Sequence, residues 1–364
     1  MSNDTYTRQA IALNSAASER FVAIRRELHR YPELSNEEFE TTRRIRGWLE
    51  EAGIRILDLP LTTGVVAEVG GLQGGPIIAL RADIDALPIQ EETGLPFASA
   101  NPGKMHACGH DFHTAALIGT AYALKAREAE LKGTVRLIFQ PAEEKAKGAR
   151  QVIASGALDG VQAIFGMHNK PDLPVGTIGI KSGALMAAAD GFVVEVAGRG
   201  THAAVPEAGN DPIVTAAHLV TALQSIVSRN VGSLESAVIS VTKLHSGTAW
   251  NVVPEAALLE GTIRTFDEEV RRRVLQRFEE VVQGVAAAYA TTASVRWIEG
   301  PPPVLNDPKL AELGEAAAEA AGYQAVSPVP SPEGGGFFLV SAGGFGPLRL
   351  YGDGWTAGMA SSRL

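Results

Sequence analysis

Nine residues, Met105 to His113 (MHACGHDFH), hold the single cysteine and three of the eight histidines of a 364-residue chain. A thiolate and neutral imidazoles are the ligands that soft and borderline divalent metals prefer. Cys108 and His110, two positions apart on a turn, can aim at one point, which makes half of a metal site. Two other readings fit the same stretch. One is a buried cysteine among satisfied core histidines; the other is a thiol nucleophile paired with His110 or His113.

Groups farther along favour the metal. Cys108, His110, Glu144 and His168 together offer a thiolate, two imidazoles and a carboxylate, a mixed set suited to zinc, manganese or cobalt. Glu143 can then serve as a general base toward water that the metal activates. Without the upstream cluster, PAEEKAKGAR would read as a solvated helix start with glutamates at its positive end. His202, in the small-residue loop GRGTHAAVPEAGNDP, can reach a developing oxyanion, or it is a turn histidine without a role. Asn251 in AWNVVP and Arg264 in GTIRTF make a substrate-carboxylate clamp if they face a cleft; otherwise they are a strand-end amide and a surface cation. His29, His218 and His245 lack polar company in sequence and read as structural.

The elements that hold these groups show in the apolar spacing. Phe21, Ile24 and Leu28 predict a helix over 15–30, and Ser35 with Glu38 forms a capping box ahead of a second helix that Gly53 closes. Strand-length runs follow at 65–69, 76–88 and 133–144, with a helix over 111–126 that Asp111 is placed to cap. Strand, helix, strand in this order predicts an α/β domain with a mostly parallel sheet, whose ligands gather beyond the strands' carboxyl ends. Asp83, Asp85, Glu143, Glu144 and His168 all fall at such ends. From about Ala187 the order becomes βαββαβ, the ferredoxin-like split arrangement, and it reads as an inserted domain. The expected division is a metal-binding catalytic domain over 1–186 and 295–364, with a second domain over 187–294.

Composition narrows the partners. With 32 Lys and Arg against 41 Asp and Glu, the net charge of −9 leaves no basic surplus for a phosphate backbone, which argues against nucleic acid and for a small molecule. MSNDTYTRQ has no basic then apolar signal pattern, and no apolar run approaches the ~18 residues of a membrane span. One cysteine makes no internal disulfide, so the expectation is a cytoplasmic protein with its thiol free for metal or chemistry.

These motifs resemble a known family. RADIDALP, GKMHACGHDFHTA, FQPAEE, GMHNKP, GTHAAVP, DPI, LQSIVSRN, WNVVP and EGTIRTF follow in order from Arg81 to Phe266, within a resemblance that runs from about Arg26 to Asp307. They resemble the aminoacylase, hippurate hydrolase and auxin-conjugate amidohydrolase group of dinuclear metallopeptidases, and within it the bacterial N-acyl amino acid deacylases, including N-acetylcysteine deacetylases. The resemblance implies that Cys108, His110, Glu144 and His168 bind one or two divalent ions, zinc or manganese first, with cobalt or nickel as further options. It implies that Glu143 is the base, that Asp85 supports the site, and that His202 serves the transition state from a lid through which members dimerise.

The chain departs from the pattern at its end. Family members carry a GSEDF-like segment and a later histidine that completes the metal pair, whereas here the last histidine is His245 and the tail begins SPEGGGFF. Glu333 and Asp353 are the acidic residues there that could supply an oxygen instead. The expected activity is hydrolysis of the amide of an N-acyl amino acid. The alternative is an impaired relative that keeps the fold and acts as a binding or assembly protein.

Overall fold

The computed structural model describes residues 15–332. They form two compact units: the described residues up to Gly183 with Leu305–Pro328, and Ala184–Val304 with residues 329–332.

The first unit opens with α1 (Ser15–Arg30) and α2 (Phe39–Glu51), which bury Ile24, Leu28, Ile45 and Leu49. The strands are β1 (Arg55–Ile56), β2 (Val65–Gly70), β3 (Ile77–Asp83), β4 (Thr134–Gln140) and β5 (Val161–Gly166), in spatial order β1-β2-β4-β3-β5. Helix α3 (His110–Ala126) lies between β3 and β4 in the chain, and α4 (Gly148–Ala154) between β4 and β5. Both faces of the sheet are covered. Val65, Ala67, Leu137 and Phe139 share a core with α1, α2 and α3, while Val66, Ile138, Ala79 and Ile164 pack on Val152 of α4.

This sheet is mixed, not mostly parallel as the element order predicts. β3 runs parallel to β4 and β5, but β2 is antiparallel to β4, and β1 to β2. Chain length is the reason: a parallel crossover takes a dozen or more residues, and only residues 71–76 separate β2 from β3, so β3 must turn back.

Two expected helix caps also differ. Ser35 and Glu38 make no capping box; Glu33 receives the Thr41 N–H at 2.7 Å instead, and Glu38 caps nothing through its side chain. Helix α3 begins one residue before Asp111, whose carboxylate pairs with His29 at 2.9 Å and Arg25 at 2.7 Å. In both places a tertiary partner won over the local one, because a buried carboxylate gains more from a charged or doubly bonded setting than from one helix-start N–H.

In the second unit the chain runs β6 (Ala188–Ala197), β7 (Thr201–His202), α5 (Pro212–Asn230), β8 (Ala237–Ser246), β9 (Val252–Val253), β10 (Ala256–Thr265), α6 (Glu268–Ala288) and β11 (Thr292–Ile298). The four long strands form an antiparallel sheet in the order β8-β10-β6-β11, and β7 pairs with β9. Phe192, Val194, Leu219, Leu223 and Phe278 fill its core, and Asp211 and Asp267 cap the two helices. No helix among the described residues is long and apolar enough to cross a membrane.

A buried fork ties α6 to β6: the Arg271 guanidinium donates to both oxygens of Asp190 at 2.7 Å, with both side chains under 5 % exposed. Loss of Asp190 leaves the buried guanidinium with only its longer contact to Glu268 at 3.3 Å. Asp190→Ala should cost about 3–5 kcal/mol in urea unfolding; a loss within error of zero would mean that the pair contributes nothing net.

Candidate metal centre

The parallel strands β3, β4 and β5 end at a common level, with Asp83 beside Gln140 and Arg81 beside Gly166. Their carboxyl ends therefore present Asp83, Asp85, Glu143, Glu144 and His168 on one side of the sheet, the place where α/β folds collect ligands. Cys108 and His110 arrive at the start of α3. Gly109, between them, has φ +87°, and a Cβ there would stand 2.4 Å from the Asn169 side chain. Only glycine lets the 108–110 turn close against the segment carrying His168.

Two overlapping triads result. Cys108, His110 and His168 hold donor atoms within 4.8 Å of one another, and so do His110, Glu143 and Glu144. The Cys108 sulfur is 3.4 Å from His168 Nε2, and His110 Nε2 is 3.8 Å from Glu144 and 3.9 Å from Glu143. His110 Nδ1 faces the Asp85 carbonyl at 2.9 Å and its carboxylate at 3.3 Å, which turns Nε2 into the cluster. His168 Nδ1 donates to the Asn169 carbonyl at 2.7 Å, which turns its Nε2 the same way. Such outer partners fix the tautomer of a metal-ligating imidazole.

A divalent cation fits these residues. His110 Nε2 and Glu144 Oε1 are buried without a hydrogen-bond partner, and both sit in the donor cluster. Unmet polar atoms of this kind are costly unless something else satisfies them. Protonation carries the same message. Burial opposes a charge on His110, yet Asp83 and Asp85 hold its pKa well above 6.5. Burial, then Glu143, pushes Glu144 up to about 7, and burial raises Glu143 as well. The cluster keeps protons that a metal would displace. Burial also raises the Cys108 thiol, which disfavours an unassisted thiolate nucleophile.

A third group, Asp83 with His110 and His113, meets the same distance criterion but is already spoken for. One Asp83 oxygen takes Arg81 at 2.7 Å and the other His113 at 2.6 Å. His113 Nε2 in turn receives the Asn169 N–H at 3.0 Å, so Asp83 and His113 secure the segment that bears His168. The sequence places Asp83 at a strand end without a role of its own and offers His113 only as partner to a thiol nucleophile, and it assigns no role to Asn169. The available signals were His113 three positions after His110 on one helix face, and Asn169 next to His168.

The remaining expected site residues lie in the second unit. His202 pairs across β7 and β9 with Val252 and is exposed; its Nδ1 accepts the Ala204 N–H at 3.0 Å. Asn251 adjoins it, its carbonyl taking the Ala203 N–H at 3.0 Å. Arg264 donates to Thr262 and to the Ile263 carbonyl, and it lines an open cavity of about 520 Å³ with Val238, Ser236 and Phe266. Glu333 and Asp353 lie outside the described residues.

Comparison with known proteins agrees in order and extent. Residues 79–352 match the model of peptidase family M20/M25/M40. The chain belongs to this family. It is 56 % identical over 321 residues to an N-acetylcysteine deacetylase of Bacillus subtilis, covering 88 % of this chain and 84 % of that protein. To an N-acyl-L-amino acid amidohydrolase of Geobacillus stearothermophilus it is 44 % identical over 306 residues, 83 % of each. The crystal structure of a Bacillus subtilis dinuclear metal-binding peptidase of the M20 family superposes with a TM-score of 0.80 at 51 % identity, covering 89 % of this chain and 85 % of that one. The protein is thus a hydrolytic enzyme with the mixed α/β fold of peptidase family M20/M25/M40.

The pKa directions set a pH signature for chelator-treated protein. Glu144 and His110 bind protons more tightly folded than unfolded, so their contribution to stability is lost as pH rises, Glu144 up to about 7 and His110 beyond. His106 and His168, both lowered to about 4 by burial, work oppositely, but only below 6.5. Above 6.5 the loss is unopposed. The melting temperature of EDTA-treated protein should fall from pH 6.5 to 8, and added zinc should cancel the fall; a flat profile would contradict this proton inventory.

Proposed function

We propose that the chain is a metal-dependent amidohydrolase that cleaves the amide between an acyl group and an amino acid. The observation that carries this reading is the pair of triads sharing His110, with the adjacent carboxyls Glu143 and Glu144 in one of them. The relatives named for N-acetylcysteine and N-acyl amino acid hydrolysis support the substrate class.

Cys108, His110, Glu144 and His168 would hold one or two ions, zinc or manganese first and cobalt or nickel otherwise. A bound divalent ion polarises the scissile carbonyl and lowers the pKa of the attacking water. The two glutamates are nearly equidistant from His110, so the division of labour between them rests on their other neighbours. Glu144 is bonded to Cys108 and has the unpartnered oxygen, which suits a ligand. Glu143 is the base: its carboxylate takes the proton of the attacking water and returns it to the leaving amine nitrogen. Burial raises its pKa, which favours holding that proton between the two steps. Asp85 keeps His110 oriented.

We assign His202 to the developing oxyanion. Because its Nδ1 accepts the Ala204 N–H, the neutral ring carries its hydrogen on Nε2, where it is available to donate. Asn251 and Arg264 are assigned to the substrate carboxylate, for which the guanidinium of Arg264, with no carboxylate partner among the described residues, is suited. We take residues 187–294 as a ferredoxin-like lid that also joins two copies of the chain, a reading that its βαββαβ order and antiparallel sheet support. The lone cysteine, free of any internal disulfide, supports placing the enzyme in the cytoplasm.

The test is a panel of N-acyl amino acids with zinc- or manganese-loaded protein. Glu143→Gln should lower kcat by about 10²–10⁴-fold while metal content stays unchanged. Wild-type turnover by that variant would sink the mechanism. No turnover by the unaltered chain with any divalent ion would favour the binding-protein alternative.

A further inference from the structure

The strongest unassigned feature is a carboxylate outside the cluster. Glu38 is fully buried, and no cation pairs with it among the described residues. Its two oxygens accept the Ala142 N–H at 2.8 Å and the Thr63 hydroxyl at 2.9 Å, and the backbone N–H groups of Asn36 and of Glu38 itself also bond to it. Burying a charge on neutral donors alone is costly, and the local contacts at the start of α2 do not account for the reach across to Ala142 and Thr63.

What Glu38 grips is the turn that carries the two glutamates. Ala142 is fully buried with φ +48°, a left-handed conformation that a residue with a Cβ adopts only when its surroundings impose it. The surroundings are specific. The Lys147 and Gly148 N–H groups converge on the Ala142 carbonyl at 3.3 and 3.0 Å, and a Cβ on Gly148 would fall 1.5 Å from the Pro141 carbonyl. On the other side a Cβ on Gly64 would meet Pro141 at 2.7 Å. One more contact comes from the same N-terminal segment. The Ser35 hydroxyl donates at 2.6 Å to the Asp85 oxygen that receives the Glu144 N–H at 3.0 Å. The peptide N–H groups before and after Glu143 are therefore both held from the PELSNEE segment, one directly and one through Asp85.

We propose that Glu38, seconded by Ser35, is a positioning residue that fixes the backbone on both sides of Glu143 and so aims Glu143 and Glu144. This rests on the roles given to those two glutamates under the proposed function. Glu38 acts through the Ala142 peptide and touches neither substrate nor metal.

The experiment compares Glu38→Ala, Glu38→Gln, Glu143→Gln and the Glu38→Ala/Glu143→Gln double variant as full-length, zinc-loaded protein. Glu38→Ala should lower kcat about 10–100-fold with KM within about twofold, the scale on which a base displaced by about 1 Å fails. Calorimetry should show zinc affinity down about tenfold, since Glu144 shares the turn. Glu38→Gln keeps an acceptor for the Ala142 N–H and should stay within about threefold of wild type on both readouts. In the Glu143→Gln background, Glu38→Ala should cost less than about twofold further in kcat, because residues that act as a unit are not additive. The proposal is overturned if folded Glu38→Ala matches wild type in kcat and zinc affinity, if Glu38→Gln is as impaired as Glu38→Ala, or if the Glu38→Ala loss is the same in both backgrounds. Should Glu38→Ala fail to fold by circular dichroism, Glu38→Asp, which keeps the charge but is too short to reach Ala142, replaces it under the same criteria. Full turnover by Glu143→Gln would instead strike the proposed function itself.

Discussion

Charge balance around one imidazole governs the first unit. Asp83, Asp85, Glu143 and Glu144 all approach His110, and each is less than a quarter exposed. Unit charges about 4 Å apart interact by roughly 4 kcal/mol at the dielectric of a protein margin. Four carboxyl groups against the Arg81 guanidinium and one imidazole leave a surplus of two negative charges when all are ionised. The fold contains two responses to that surplus. Raised pKa values favour protons on the two glutamates, and the donor atoms lie close enough together to share a divalent cation, while Arg81 and the His113 N–H hold Asp83 apart from them.

The scaffold serves that cluster by levelling strand ends. The mixed sheet matters here because its three parallel strands, β3, β4 and β5, deliver acids and His168 on one side, while antiparallel β2 and β1 extend the core away from it. Rigid strands alone do not orient side chains that leave from loops. That work falls to tertiary ties: Gly109 against Asn169, His113 on the Asn169 peptide, Ser35 on Asp85, and Glu38 on Ala142. The first is a close approach that only glycine permits; the other three are satisfied polar contacts, and each loses its geometry if one partner is deleted.

Much of this was legible in residue type and spacing. Cys108, His110, Glu144 and His168 stand out because thiol, imidazole and carboxylate groups at the ends of apolar runs have few structural uses. Helix α1, the strands from Val65 and Thr134, and the βαββαβ order of the second unit follow from periodicity. Other features were misread for one reason. Ser35, Glu38 and Asp111 carry strong local capping signals, but their side chains had better partners 50, 104 and 82 positions away, in Asp85, Ala142 and His29 respectively. His29 shows the same effect, having polar company in Asp111 and Glu91 that its neighbours in sequence do not reveal.

The amino-acid sequence determined the inventory: which chemical groups exist, which end a strand or open a helix, and which family the order of motifs belongs to. Those properties are local, set by side-chain chemistry and by periods of two and 3.6 residues. Folding decided the pairing. It seated β4 between β2 and β3, chose His113 and Arg81 for Asp83, and gave Glu38 to the turn before Glu143. Those outcomes depend on competition among distant partners for each buried polar atom, and no window of sequence contains the competitors together.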